Sequence, residues 1–256
     1  MFHERQINIK TPAELKIMRE AGRINATVLA TVKELLQPGV TTADLNAAAE
    51  EVLKSYGCVS PFKGYGRPPF PASITVSIND EMVHGIPHPK RRLKEGDIVS
   101  IDCGAIHQGF VADSAFTAGV GEISPEAKRL LETAEGALYA GIEKLRKGRR
   151  TGDISAAIQK YVESNGLHVT REYTGHGVGK DMHEGPQVPN VGMAGSGVVL
   201  KPGMTIALEP MVLVGTHETR VLPDQWTVVS ADGSLTAHFE HTIAVTEGEP
   251  LILTVL

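Results

Sequence analysis

Five side chains that can bind a hard metal ion lie between residues 102 and 240 of this chain: Asp102, Asp113, His176, Glu209 and Glu240. Four carboxylates and one imidazole are enough ligands for two divalent ions, and their four negative charges balance both ions. One acid alone at the end of a strand is usually a turn former. Four acids in apolar strands would repel one another without a cation, and one or more would have to stay protonated. The set therefore predicts a centre for two metal ions.

The first two acids fall in consecutive strand-like segments. Asp102 lies in a run rich in β-branched residues over 97–104, and Asp113 lies in a second such run over 109–116. A short turn through residues 105–108 is expected to join the two runs into an antiparallel hairpin. Paired antiparallel strands would bring the two carboxylates to one point.

The last two acids also stand in strand-like surroundings. Glu209 is the lone acid at the end of an apolar run, and Glu240 lies within residues 236–245. In that segment the two-residue period of a strand puts His238, Glu240 and Thr242 on one face and mostly apolar side chains on the other. An acid in such a strand is costly to bury unless something pairs with it. This context favours a bound cation.

Signals for helices surround these segments. A helix is predicted to begin at Thr11, an N-cap followed by a proline at the first helical position, and to stop at Pro38. A second helix is predicted over residues 42–56, a third after Ser124, and a fourth capped by Asp153. Helices in pairs, with strands that form hairpins, predict an α+β fold in which helices back an antiparallel sheet.

Composition favours one compact unit. No linker, repeat or low-complexity stretch divides the 256 residues, so a single domain over residues 1–256 is expected. The net charge of −5 argues against a nucleic-acid partner. The first six residues lack the apolar core of a signal peptide, and no run of about 18 apolar residues could span a membrane. We expect a cytoplasmic monomer that has no membrane contact.

The two cysteines, Cys58 and Cys103, fit a reducing compartment and exclude a disulfide framework or a cysteine zinc module. Cys103 alternates away from Asp102 along the strand, so it is predicted to pack in the core instead of binding metal. The glycines on both sides of His176 are expected to let the backbone pass close to a metal ion.

Rival motifs fail on physical grounds. A zincin helix cannot start at His183, because Gln187 stands where the second histidine would be and Pro186 would break the helix. The glycine-rich stretch at residues 175–179 is only loosely similar to a dinucleotide loop, since Lys180 replaces its final glycine. The sequence also lacks a nucleophile-elbow serine.

Several short motifs carry a resemblance to a known family. His176 stands in Gly-His-Gly-Val-Gly, His84 in His-Gly-Ile-Pro, and His183 in Met-His-Glu-Gly-Pro. Leu-Glu-Pro surrounds Glu209, and Phe-Glu-His-Thr surrounds Glu240. With two aspartates eleven residues apart upstream, the series resembles that of the type I methionine aminopeptidases, and the resemblance covers essentially the whole chain.

This resemblance implies a fold and an activity. The fold would be the pita-bread fold of the creatinase and aminopeptidase group, which is α+β. The activity would be that of a metalloexopeptidase that removes the initiator methionine from nascent polypeptides, close to the ribosome, and favours a small second residue. The sequence has neither the zinc-finger extension nor the long type II insertion of some members, so the short bacterial-style form is implied.

The resemblance also implies roles for the five ligands. Asp113 and Glu240 would bridge two ions. Asp102 would complete the ligands of one ion. His176 and Glu209 would complete the ligands of the other ion. Oxygen-rich ligation without a thiolate accepts Co²⁺, Mn²⁺, Fe²⁺ or Zn²⁺, so the identity of the metal stays open. Water between the ions would attack the first peptide carbonyl, and Glu209 would shuttle the proton to the leaving amine.

Substrate contacts are implied as well. His84 and His183 would hydrogen-bond the scissile peptide and the oxygen that gains charge in the transition state. A slot for methionine would be formed by aromatic side chains with two further members, namely Tyr65, Phe70 and Trp226 together with Thr75 and Met182. Residues 66–69 depart from the family pattern, because the segment is longer than in many members and lacks a histidine often found there. The shape of the rim of the slot therefore stays open.

Two other functions fit part of the pattern. An aminopeptidase or dipeptidase of the same fold that cleaves Xaa-Pro bonds would use the same order of ligands, although such enzymes usually carry an extra N-terminal domain. A catalytically inactive binding protein of this fold would be expected to have lost ligands, whereas all five are present. A metal titration distinguishes an enzyme from an inactive binding protein, because the binding protein would not take up metal in a stoichiometric amount.

Overall fold

The structure is a computed structural model that describes residues 6–256. Most of the N-terminal segment in which the sequence showed no signal-peptide core, residues 1–5, lies outside the described residues. Across residues 6–256, no helix is both long and apolar enough to cross a membrane. The helices are α1 Pro12–Glu34, α2 Thr42–Ser55, α3 Pro125–Ile142 and α4 Thr151–Ser164.

The strands are short except for one long hairpin. In chain order they are β1 Ile74–Ile78, β2 Glu81–Val83, β3 Ile98–His107, β4 Phe110–Gly119, β5 His168–Val169, β6 Thr174–Gly177, β7 Glu184–Pro189, β8 Thr205–Leu208, β9 Met211–Leu213, β10 Thr219–Val221, β11 Val228–Ser230, β12 Thr236–His238, β13 His241–Ala244 and β14 Leu251–Ile252.

All the strand pairs within residues 6–256 are antiparallel. One sheet has the order β1-β3-β4 and another the order β14-β13-β8-β6-β7, and two smaller sheets have the orders β10-β11-β2 and β12-β9-β5. A backbone bridge joins the first two sheets, since Glu240 N donates to Ala115 O at 2.9 Å and Ala115 N donates to Glu240 O at 3.2 Å. The α+β fold with an antiparallel sheet is confirmed.

Each pair of helices backs one half of this arrangement. Apolar side chains of α1 and α2 form one core with β1 and β3, and this core includes Ile24, Leu45 and Val99. Apolar side chains of α3 and α4 form a second core with strands that include β8 and β13, and this core includes Leu138 and Ile206. Cys103 is fully buried in the first core, so its predicted packing role is confirmed.

The predicted helix starts are confirmed at three places, and one cap needs correction. Thr11 forms a capping box with Glu14, α2 begins at Thr42, and Ser124 accepts the N–H of Ala127. Asp153 is not the N-cap of α4 but its third helical residue, because Arg150 occupies the cap position. The Asp153 carboxylate reaches back to accept the backbone N–H of Arg150 at 2.9 Å.

The turn of the β3–β4 hairpin is later than predicted. Strand β3 continues through residues 105–107, and the reversal occurs at Gln108 and Gly109, whose φ angles are 47° and 79°. Two consecutive residues with positive φ are typical of the tight two-residue turns that match the twist of a hairpin. Ala105 and Ile106 fit a strand, so the hairpin is longer and its two carboxylates lie well inside it.

Asn25 of α1 connects the two strands of the hairpin from behind. Its Nδ2 donates to Cys103 O at 2.6 Å and to Ser114 Oγ at 2.8 Å, and its side chain is fully buried. Cys103 follows Asp102 and Ser114 follows Asp113 in the chain. The amide therefore fixes the two acid-bearing strands relative to the helix.

Replacing this amide should destabilise the fold. Asn25→Ala removes a donor from two buried acceptors, and the cost is expected to be about 1–3 kcal/mol in the free energy of unfolding. Urea denaturation monitored by circular dichroism measures the loss. Thr31→Ala is the control, because its hydroxyl bonds only the Thr27 carbonyl of the same helix at 2.9 Å. Equal stability of the two variants would contradict a linking role for Asn25.

Candidate metal centre

Register places Asp102 and Asp113 on the same face of the β3–β4 hairpin. Asp113 lies opposite Gly104, which is two residues along β3 from Asp102. Residues two apart in a strand point to the same side, so both carboxylates project from one face. They are 9% and 2% exposed.

His176 lies in the middle of β6, between the backbones of β7 and β8. A Cβ atom at Gly175 would lie 2.7 Å from Ala207 O, and one at Gly177 would lie 2.0 Å from Gly185 O. The glycines are therefore needed for close approach of the neighbouring strands. The expectation that they also let the backbone pass close to a metal ion stays a prediction.

The two glutamates are held by backbone contacts. Glu209 directly follows β8, and its carbonyl accepts Asn190 Nδ2 at 3.3 Å. Glu240 lies between β12 and β13 and forms the bridge to Ala115 of β4. The continuous strand expected over residues 236–245 is thus interrupted at residues 239 and 240, although His238, Glu240 and Thr242 are all buried on the predicted polar side.

Side chains from three different parts of the fold converge at one point. Asp113, His176 and Glu240 each offer a ligand atom, and these atoms all lie within 4.8 Å of one another. Glu209 adjoins this group, since its Oε1 is 3.4 Å from His176 Nε2. Asp102 lies outside the tightest group but shares the face of Asp113. The structure therefore brings the five residues into one region.

Burial raises the pKa values of these acids. The pKa values of Asp102, Glu209 and Glu240 are raised well above the ordinary range by burial first and by neighbouring carboxylates second. Burial also raises the pKa of Asp113, to about 7. A carboxyl group with such neighbours either keeps a proton or binds a cation.

Unpaired oxygens show that the donor set suits a cation. Among the described residues, Oδ1 of Asp102, Oδ1 of Asp113 and Oε1 of Glu240 are buried and have no hydrogen-bond partner. Buried polar atoms nearly always have a hydrogen-bond partner. Three buried carboxylate oxygens that lack one at the same point therefore indicate that a positive charge belongs there. Carboxylates with a single imidazole are ligands for divalent ions of the first transition row. The residues present fit a divalent metal ion.

The two histidines predicted to contact substrate, His183 and His84, differ in their surroundings. The ring centroid of His183 is 4.3 Å from that of His176, and its Nδ1 is 2.8 Å from the Tyr65 hydroxyl. His84 follows β2 with a positive φ of 61°, a backbone conformation that costs a non-glycine residue about 1–3 kcal/mol. Burial lowers the pKa of His84 to about 4, so this imidazole is neutral at physiological pH.

The side chains expected to form the slot mostly cluster beside His84. Phe70 meets Trp226 edge to face at 5.3 Å, and the Trp226 ring lies 6.1 Å from His84. Met182 packs against the same apolar cluster, which includes Phe70. Thr75 is not a member of this apolar cluster. It is buried on β1, directly opposite Asp102 on β3.

Sequence reasoning placed His238 on the polar face but gave it no function. Its Nε2 atom is 3.7 Å from Glu240 Oε2 and 3.9 Å from Glu209 Oε2, and it has no hydrogen-bond partner within residues 6–256. Burial lowers its pKa to about 3, so the ring is neutral. The period of two shared with Glu240 was the signal that could have assigned His238 to the centre.

Comparisons with known proteins agree with this geometry. Methionine aminopeptidase of Clostridium acetobutylicum is 50% identical over 248 residues, which are 97% of this chain and 98% of that protein. Methionine aminopeptidase 1 of Bacillus subtilis is 51% identical over 245 residues, which are 96% and 98% of the two chains. The crystal structure of methionine aminopeptidase from Thermotoga maritima has a TM-score of 0.96 and 45% identity, and the match covers 98% of this chain and 100% of that one.

These similarities extend over the whole described fold, so the arrangement of antiparallel sheets and paired helices is the pita-bread fold. The sequence model of metallopeptidase family M24 matches residues 16–247, a range that includes the five residues of the metal centre. We conclude that this chain belongs to metallopeptidase family M24.

Proposed function

We propose that the protein is a methionyl aminopeptidase that removes the N-terminal methionine of nascent polypeptides and favours a small second residue. One observation carries the proposal: buried carboxylates and an imidazole converge beside an aromatic cluster that includes Phe70 and Trp226. An apolar slot next to a cation site suits a substrate with an apolar first side chain and a polar peptide group. Relatives named methionine aminopeptidase support the same activity.

The cofactor is proposed to be two divalent ions. Asp102, Asp113, His176, Glu209 and Glu240 would hold them, and Co²⁺, Mn²⁺, Fe²⁺ and Zn²⁺ all suit this donor set. Divalent ions supply Lewis acidity here, which polarises a peptide carbonyl and makes water a nucleophile near neutral pH. The four carboxylates supply the four negative charges that two such ions require.

Glu209 is proposed to move the proton from water to the leaving amine. Its side chain is 14% exposed, whereas those of Asp113 and Glu240 are each 3% exposed. Glu209 is thus the most open of these three carboxylates. An open carboxylate beside the reacting groups can accept the proton of the water and pass it to the amine.

His183 and His84 are proposed to donate hydrogen bonds to substrate. When the Tyr65 hydroxyl donates to Nδ1 of His183, the imidazole proton resides on Nε2, which can donate to a substrate oxygen. His84 is neutral and carries one N–H, so it can donate without adding charge. A donor aimed at an oxygen that gains charge lowers the barrier by roughly 2.7–4 kcal/mol.

Tyr65, Phe70 and Trp226 are proposed as the walls of the methionine slot, with Met182 packing against the same cluster. An aromatic slot suits the flexible thioether of methionine, because sulfur makes favourable contacts with aromatic rings. Trp226 is held in place by a hydrogen bond from Nε1 to Pro68 O at 3.0 Å. Residues 66–69 therefore shape the rim through this contact.

The proposal also covers the number of domains, the oligomeric state and the cellular location. We expect one catalytic domain over residues 1–256, since the backbone bridge at Glu240 joins the two halves through the metal centre itself. We expect a monomer in the cytoplasm that meets nascent chains near the ribosome. An Xaa-Pro peptidase of the same fold is the alternative activity, and preferred cleavage before proline would distinguish it.

Removing the cations should destabilise the protein, and the loss should grow with pH. The folded apoprotein retains protons on its buried acids, with Asp113 titrating at about 7, whereas the unfolded chain releases them near pH 4. The folded state therefore binds more protons than the unfolded state in that window, so stability falls as pH rises through about 7.

Thermal unfolding of chelated protein between about pH 5 and pH 8 measures this loss. Added Mn²⁺ or Co²⁺ should raise the midpoint most at the upper end of the range, because a cation binds only the folded state. Hydrolysis of a methionyl peptide should stop on chelation. Full activity after exhaustive chelation would contradict the proposed cofactor.

Two single variants should separate metal ligands from substrate contacts. Asp113→Asn should lose both metal and activity, because it removes a charge at the point where the ligand atoms converge. His183→Ala should keep its metal content while kcat falls by about 10² or more. Metal analysis and kinetics on a Met-Ala-Ser peptide provide the two readings. Loss of metal in His183→Ala would show that this histidine is a ligand.

Substrate preference should follow the aromatic slot and the crowded site behind it. Branched or charged first side chains should be disfavoured by about 1–3 kcal/mol for each misfitted group. Trp226→Ala should weaken the preference for methionine more than it weakens metal binding, since it widens the slot without removing a ligand. The comparison uses kcat/KM for Met-Ala-Ser, Met-Lys-Ser, Leu-Ala-Ser and Ala-Pro peptides. Equal values for Met-Ala-Ser and Met-Lys-Ser, or preferred cleavage before proline, would overturn the proposed specificity.

A further inference from the structure

A buried ion pair connects the N-terminal segment to the start of β7. Lys10 Nζ donates to Glu184 Oε2 at 2.5 Å, and the two side chains are only 4% and 2% exposed. A buried pair seldom stabilises a fold more than apolar residues of the same volume, because desolvation of both charges offsets their attraction. Neither residue belongs to the metal centre. We therefore expect the Lys10–Glu184 pair to have a role other than stabilising the fold as a whole.

The second oxygen of Glu184 fixes the loop that precedes it. Oε1 accepts the backbone N–H of Lys180 at 2.9 Å, so residues 180–184 form a closed loop around one carboxylate. Gly179 provides the space for this arrangement. A Cβ atom at position 179 would lie 2.4 Å from Glu184 Oε1 and 2.5 Å from Lys10 Cε.

His183 projects from this loop immediately before the anchored carboxylate. Its ring lies 4.3 Å from that of His176, and its Nδ1 is 2.8 Å from the Tyr65 hydroxyl. The N-terminal segment holds the other side of the loop, because Gly185 N donates to Gln6 O at 3.0 Å. Residues 6–10 thus fix the backbone on which His183 stands at two points.

We propose that Lys10 is a positioning residue for His183 and acts through Glu184. Lys10 holds the Glu184 carboxylate, the carboxylate holds the loop, and the loop sets the imidazole beside the metal centre. This inference rests on the proposed function only where it gives His183 a contact with substrate. The positions of Lys10, Glu184 and His183 do not depend on that contact.

The kinetics of Lys10→Met, measured in the wild-type protein and in the His183→Ala variant, test whether Lys10 acts through His183. Lys10→Met should lower kcat by about 10²-fold, because a displacement of about 1 Å in a catalytic group can cost that much. KM and metal content should change little. In the His183→Ala background the same substitution should lower kcat by less than about 3-fold, since the group that it displaces is already gone. An equal loss in both backgrounds would overturn the proposal.

A neutral double variant separates positioning from stability. Lys10→Met with Glu184→Gln buries no unpaired charge, so its thermal midpoint should exceed that of Lys10→Met alone. Its kcat should stay low, because the short charged contact that pins the loop is missing. Recovery of kcat together with the midpoint would mean that the pair is merely structural. If Lys10→Met alone does not fold, the double variant takes its place in both backgrounds.

A matched control and a measurement without substrate complete the test. Lys147→Met breaks an ion pair to Glu247 at 2.6 Å whose side chains are 57% and 74% exposed, and it should leave kcat unchanged. The imidazole signals of His183 in ¹H–¹⁵N spectra of the metal-free protein should shift in Lys10→Met but not in Lys147→Met. Unshifted signals in Lys10→Met would refute the positioning. Shifted signals in a protein that does not cleave methionyl peptides would support it and refute the proposed function.

Discussion

The mutual repulsion of buried carboxylates is the constraint on which this structure depends. Asp113 and Glu240 are each 2% exposed and lie where a single backbone bridge joins two sheets. Burial raises the pKa values of both acids, neighbouring carboxylates raise that of Glu240 further, and their orphan oxygens find no protein donor among the described residues. A bound cation therefore acts as part of the fold as well as a reagent, so ion binding and folding are linked.

The two helix pairs make this crowded point rigid from both sides. The hairpin that carries Asp102 and Asp113 is tied to α1 by the buried amide of Asn25. Strands β8 and β13, which flank Glu209 and Glu240, pack against the core that includes α3. Ligands contributed by separately supported halves cannot move apart without disturbing a packed core, so the site is preorganised for a cation.

Local patterns predicted most of the elements, whereas contacts between distant residues gave no signal. The cap at Thr11 follows from the proline and glutamate that come after it, and the polar face at Glu240 follows from a period of two residues. The reversal at Gln108 was placed too early because the preceding residues also fit a strand. The contact between Lys10 and Glu184 spans 174 residues and involves two ordinary charged side chains, so only the folded chain reveals it.

Two histidines lie around Glu209, which the proposed mechanism makes both a metal ligand and a proton carrier. His176 Nε2 lies 3.4 Å from Oε1 of Glu209, and His238 Nε2 lies 3.9 Å from Oε2, so each oxygen faces a different imidazole. Burial keeps His238 neutral, with a pKa of about 3. A neutral ring adds no positive charge that would favour the ionised form of Glu209. In the proposed mechanism this balance lets Glu209 accept a proton from water and release it to the amine. A lysine at position 238 would instead place a positive charge beside Glu209, which would favour the ionised form of that carboxyl and repel the bound cations.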